Sequence, residues 1–100
     1  MTHSVFFTLR YPKNSVEEKL FFEAVNTLIA IPGILNFQCV KQTSQKNDFD
    51  YGIIMEFNTQ EEYDYYASHP LHSDFVKHHW IPSVEKFMEL DFEKITKRNG

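Results

Sequence analysis

The spacing of apolar residues along this chain switches between a period of two and a period of about 3.6 in the order strand, helix, strand, strand, helix, strand. Few folds accept that order in 100 residues. His3, Val5, Phe7 and Leu9 alternate with Ser4, Phe6, Thr8 and Arg10, which reads as a first strand. Tyr11-Pro12-Lys13-Asn14 is a turn. Ser15 and Glu18 then form a capping box, each side chain placed to satisfy a free amide at a helix start. Val16, Leu20, Phe21, Ala24, Val25 and Leu28 recur at helical spacing, so a first helix runs to about Ile31, where Pro32-Gly33 stops it. Ile34 to Gln42 and Phe49 to Phe57 read as two further strands joined by the polar loop Thr43 to Asp48. Thr59 and Glu62 cap a second helix, His69 before Pro70 must be extended, and Leu71 to Trp80 resumes a short helical segment. The last strand lies within Ser83 to Ile95, and Thr96 to Gly100 is a polar, frayed tail.

The resulting βαββαβ order predicts one domain over residues 1–100, of α+β class: a ferredoxin-like four-stranded antiparallel sheet with both helices on one face. Each strand has one apolar row to place under the helices. These are the His3 row, the Leu35, Phe37 and Cys39 row, the Tyr51 to Phe57 row, and Met88, Leu90 and Phe92. On this reading Cys39 is a small buried hydrophobe. The opposite rows still carry Phe6, Val40, Ile54 and Phe87 among polar residues. A partly apolar sheet face with no third layer needs a cover, and a second copy of the chain supplies it most simply, as a homodimeric α/β barrel.

Composition narrows the functional classes. A net charge of −4 with no basic stripe argues against nucleic acid as a partner. A single cysteine makes no internal disulfide, and there is no Cys-x-x-Cys pair for zinc. No segment approaches the roughly 20 apolar residues of a membrane span, and Met1 to Arg10 lacks a signal-peptide pattern, so the expectation is a soluble, cytoplasmic chain.

Titratable chemistry concentrates between Tyr63 and Trp80, which hold three of the five tyrosines, four of the five histidines and the single tryptophan. His72 and Tyr66, joined by His3 from the first strand, are the candidate catalytic residues. An imidazole near neutrality takes a proton from carbon beside a carbonyl, and a phenol donates to the oxygen that gains charge. Phe7, Tyr63, His69, Phe75 and Trp80 are the candidate walls of a ligand pocket. His69, His72 and Asp74 around a proline make a poor metal site, so no metal and no cofactor is expected. His78 and His79 read as a solvated helix face. Three readings stay open: a dimer that binds a small apolar carbonyl compound, a cofactor-free cyclase or lyase using the same groups, and a structural dimer whose interior is filled by its own side chains.

His-x-Val-x-Phe from His3, Ile-Pro-Gly-Ile from Ile31, Asp-Phe-Asp-Tyr-Gly from Asp48 and Tyr-x-x-His-Pro-x-His from Tyr66 resemble the stress-responsive dimeric α/β-barrel (Dabb) family, over nearly the whole chain. The resemblance implies a dimer of ferredoxin-like subunits. It also implies, through a plant member that closes a polyketide ring by aldol chemistry without metal or cofactor, catalytic roles for Tyr66 and His72 with His3 in the same pocket. Ile53 and Val25 stand where that member carries a pocket histidine and tyrosine.

Overall fold

The computed structural model describes residues 1–96, so the tail expectation falls outside the described residues from 97 onward. The elements are β1 (Thr2–Leu9), α1 (Val16–Asn26), β2 (Leu35–Lys41), β3 (Tyr51–Glu56), α2 (Gln60–Ser68) and α3 (Pro70–Phe75). A π-helical turn (Val76–Trp80) and a short helical turn (Ile81–Ser83) then lead into β4 (Val84–Phe92). The strands lie in the order β2-β3-β1-β4 with all neighbours antiparallel, each helical connection passing over one strand. This is the ferredoxin-like fold.

Local chemistry explains where the elements begin. Ser15 Oγ accepts the Glu18 amide at 3.2 Å, while Glu18 Oε1 accepts the Asn14 amide at 3.2 Å, which satisfies donors at the start of α1. The other oxygen of Glu18 accepts the Tyr51 hydroxyl at 2.7 Å and so ties α1 to β3. Thr59 Oγ1 caps α2 by accepting the Glu62 amide at 3.1 Å. A 3-10 turn over Thr27–Ala30 extends α1, and Gly33 at φ +97° turns the chain toward β2.

The helices cover the β1 row of His3, Phe7 and Leu9. Phe7 is wholly buried, its ring 5.6 Å from Phe21 and 5.1 Å from Trp80, and Val25, Leu28, Ile31, Ile53, Met55 and Phe57 complete the core around it. The π-helical turn places Trp80 within reach of this cluster.

Two row assignments are corrected. In β4 the pairing of His3 with Asp91, Val5 with Glu89 and Phe7 with Phe87 puts Phe87, Glu89 and Asp91 on the helix side. Met88, Leu90 and Phe92 therefore occupy the uncovered face, the reverse of what their apolar character alone implies. Register against β1, not the composition of the row, decides the face. In β2, Leu35 pairs with Glu56 but Gln38 pairs with Ile54, leaving two residues opposite Met55 in a bulge where Asn36 takes φ +50°. The bulge turns Leu35 to the uncovered face, separating it from Phe37 and Cys39. Cys39 is exposed, not buried, because β2 is an edge strand.

The uncovered face is consequently more apolar than the sequence implies. Phe6, Val40 and Ile54 are half-buried there, and Met88, Leu90 and Phe92 stand exposed beside them.

Candidate functional site

Between the helix side of the sheet and the α2–α3 segment lies a cavity of about 320 Å³. That is the lower end of the roughly 300–1,000 Å³ typical of small-molecule sites. Leu28, Ile53, Met55, Phe75 and Trp80 make its walls apolar, and Ile81 and Phe87, both exposed, stand at its rim. Its polar groups are His3, Tyr66, His72 and Glu89.

The break between α2 and α3 positions His72. Pro70 sits in the first turn of α3, where a missing amide hydrogen costs nothing, and His69 Nδ1 caps that helix by accepting the Leu71 amide at 3.1 Å. His72 Nδ1 lies 3.0 Å from the Ala67 carbonyl oxygen. A carbonyl only accepts, so Nδ1 carries the hydrogen and neutral His72 keeps a free lone pair on Nε2. Burial lowers the His72 pKa; the Ala67 bond opposes that shift and the nearby His3 adds to it.

Tyr66 is buried on α2 with its ring 4.6 Å from that of His72 and 6.0 Å from that of His3. Burial, with lesser contributions from Tyr63 and Glu89, pushes its phenol well above the ordinary range. Tyr66 thus keeps its proton, and its hydroxyl has a hydrogen to donate.

His3 is 5% exposed and held from β4: Nδ1 is 2.6 Å from Asp91 Oδ1, and Nε2 is 3.9 Å from Glu89 Oε1. The carboxylate accepts, so Nδ1 carries a hydrogen, and the imidazole is fixed in orientation against the cavity.

The structure therefore brings His3, Tyr66 and His72 to one cavity, with Phe75 and Trp80 in its wall. Phe7 lies beneath, in the core. Tyr63 packs outside, 5.1 Å from the His3 ring and 5.6 Å from that of Phe57, and His69 serves as a helix cap beside Tyr65. None of these three lines the cavity. Sequence reasoning missed Glu89 and Asp91. The alternation Phe87-x-Glu89-x-Asp91 carries the signal, once β4 is aligned antiparallel to the His3 row. Among the described residues no three His, Cys, Asp or Glu side chains converge as a metal site requires.

The stress responsive A/B barrel domain model matches residues 1–94, and the chain belongs to that family. It is similar to a Dabb family protein of ferredoxin-like fold from Mesorhizobium loti, with 42% identity over 95% of this chain and 96% of that one, at a TM-score of 0.92. A ferredoxin-like protein of Bacteroides fragilis described as dimeric is 27% identical over 93% and 94%, with a TM-score of 0.69. A hydroxynitrile lyase of Passiflora edulis shares the fold, with 15% identity over 97% and 95% and a TM-score of 0.82. No protein of curated function matches the sequence significantly. No helix among the described residues is long and apolar enough to cross a membrane.

Proposed function

We propose that the chain binds a small apolar carbonyl compound in the cavity, its oxygen held by the Tyr66 hydroxyl and its carbon skeleton against Trp80, Phe75 and Met55. The observation that carries this reading is an open, mostly apolar cavity with a proton-bearing phenol and a neutral imidazole on one wall. An interior filled by its own side chains, as a purely structural dimer requires, fits that hollow poorly. Trp80 is the single tryptophan and lines the cavity, so its fluorescence reports occupancy directly. Titration with medium-chain ketones is expected to give saturable quenching. The absence of any saturable change, in fluorescence and in native mass spectrometry, removes the reading.

A second reading is proton transfer, a lyase or cyclase step without metal or cofactor. It is favoured by His72, whose Nδ1 bond to the Ala67 carbonyl leaves an Nε2 lone pair to accept a proton. The fold-sharing Passiflora edulis protein is named for cleaving a hydroxynitrile, a reaction that also moves one proton beside a developing carbonyl. Deuterium exchange at the α-carbon of a bound ketone, followed by NMR and lost in His72→Ala, is the test. A rate equal to that of buffer in the unaltered protein ends this second reading.

The working unit in both readings is a homodimer in which a second copy covers Met88, Leu90 and Phe92. Support comes from the exposure of those three apolar side chains on one face and from the dimeric Bacteroides fragilis relative.

A further inference from the structure

We infer that Glu89 selects the ligand by charge, so that the cavity takes an uncharged or amine-bearing apolar molecule and rejects the carboxylate of the same skeleton. This rests on the binding role proposed above and narrows its ligand class.

The charges around the cavity are unbalanced. Glu89 is in the wall and Asp91 stands behind His3, so two carboxylates face one imidazole. With His3 neutral the local charge is minus two, and with His3 protonated it is minus one. His72 does not redress this, because its Nδ1 hydrogen is committed to Ala67 and its charged form is disfavoured. No lysine or arginine is among the lining residues. Tyr66 adds only a neutral dipole.

Glu89 is also short of partners. Among the described residues its one ion-pair contact is with His3 Nε2 at 3.9 Å, beyond hydrogen-bond length, and its carboxylate accepts only. A ligand that reaches this wall meets a carboxylate solvated by water and free of any protein hydrogen-bond donor among the described residues. A hydroxyl or ammonium group satisfies it, whereas a carboxylate is repelled and leaves water to occupy a poor site. Trp80, Phe75 and Phe87 add three aromatic rings to the lining, and an aromatic wall accommodates a cation better than an anion. The Glu89 side chain is 54% exposed, so solvent screens part of the repulsion.

The test uses three probes of one carbon skeleton, 2-heptanone, heptanoate and heptylamine, each titrated against Trp80 fluorescence at pH 7.5 and fixed ionic strength. Heptanoate is expected to bind about tenfold more weakly than 2-heptanone, or worse, with heptylamine no weaker than the ketone. In Glu89→Gln the gap between ketone and heptanoate affinity narrows several-fold, read as a ratio so that any change in ketone affinity itself is divided out. Raising the salt concentration narrows the gap in the unaltered protein and does so less in Glu89→Gln. Heptanoate binding as tightly as 2-heptanone, or an unchanged gap in Glu89→Gln, overturns the selection by charge while leaving the binding role intact. If none of the three probes binds, the binding role itself falls and this inference with it.

Discussion

His3 Nδ1 and Asp91 Oδ1 lie 2.6 Å apart across 88 residues of chain, joining the first strand to the last at the floor of the cavity. The contact follows from register. His3 and Asp91 are direct partners in the β1–β4 ladder and share the helix side of the sheet. A buried imidazole with a carboxylate on Nδ1 cannot turn without leaving a buried N–H unmatched, so the pair fixes the wall on which the proposed ligand rests.

Asp91→Ala should accordingly cost about 1–3 kcal/mol in urea unfolding, the range for stranding one buried polar group. The partly exposed position of Asp91, with 37% of its side chain accessible, places the expectation toward the lower end. Asp91→Asn keeps an acceptor oxygen and should lose clearly less. Equal losses in the two variants would mean that the acceptor on Nδ1 is not what holds His3.

The pKa of His72 sets a pH dependence with a definite sign. Its folded value is depressed below the ordinary 6.5 by burial, so the unfolded chain binds the proton more readily. Stability therefore falls as pH drops below about 7, and the fall ends once pH passes the folded pKa. Removing the imidazole in His72→Gln should flatten this part of the profile between about pH 7 and 5, read as the difference between the two proteins in urea midpoint against pH. A difference that is constant across that interval contradicts a depressed His72.

Gly52 is constrained from the uncovered face. A Cβ added there would meet the Phe6 ring at 2.5 Å and Val40 Cγ2 at 3.0 Å, so one of the two must move. Gly52→Ala is expected to destabilise by about 1–3 kcal/mol, the usual cost of overpacking. The displaced Phe6 ring should also weaken self-association, visible as a rise in the dimer dissociation constant. Pairing Gly52→Ala with Phe6→Leu, which frees the space, should recover most of the stability.

The strand and helix order was legible because apolar period and capping residues act locally: Ser15 and Thr59 accept the Glu18 and Glu62 amides as their spacing implies, although the Glu18 carboxylate takes the Asn14 amide in place of that of Ser15. The joint placement of His3, Tyr66 and His72 was legible for a related reason, since a histidine in the same row as Phe7 must face the helices. The face of β4 was not. Its apolar row and its polar row are both plausible core rows in isolation, and only pairing with β1 chooses between them. That choice put Glu89 in the cavity wall and Asp91 against His3, and moved Met88, Leu90 and Phe92 to the opposite side. The bulge at Asn36 was equally hidden, because an extra residue in an edge strand leaves no periodic trace in a run of seven.

The uncovered face yields the sharpest test of assembly. Met88, Leu90 and Phe92 are each about half exposed on the same face as Phe6, Val40 and Ile54, with Met88 directly beside Phe6 and Leu90 one strand from Ile54 across Ser4. So many exposed apolar side chains on one sheet face are uncommon on a lone subunit and common at an interface between identical copies. Sedimentation should therefore give about twice the 11.9 kDa chain mass at micromolar concentration. Leu90→Glu places a charge in the middle of the exposed β4 row without touching the fold's own bonds, because the Ser4 hydroxyl donates to the Leu90 backbone carbonyl, which the substitution keeps. The variant should sediment as a monomer with an unchanged far-ultraviolet spectrum, and its unfolding midpoint should lose the concentration dependence that a dimer shows. Ile29→Glu is the control: Ile29 is equally exposed but lies in the 3-10 turn after α1, away from the sheet. A dimer that survives Leu90→Glu, or one that Ile29→Glu dissolves as readily, would place the contact between copies somewhere other than the open side of the sheet.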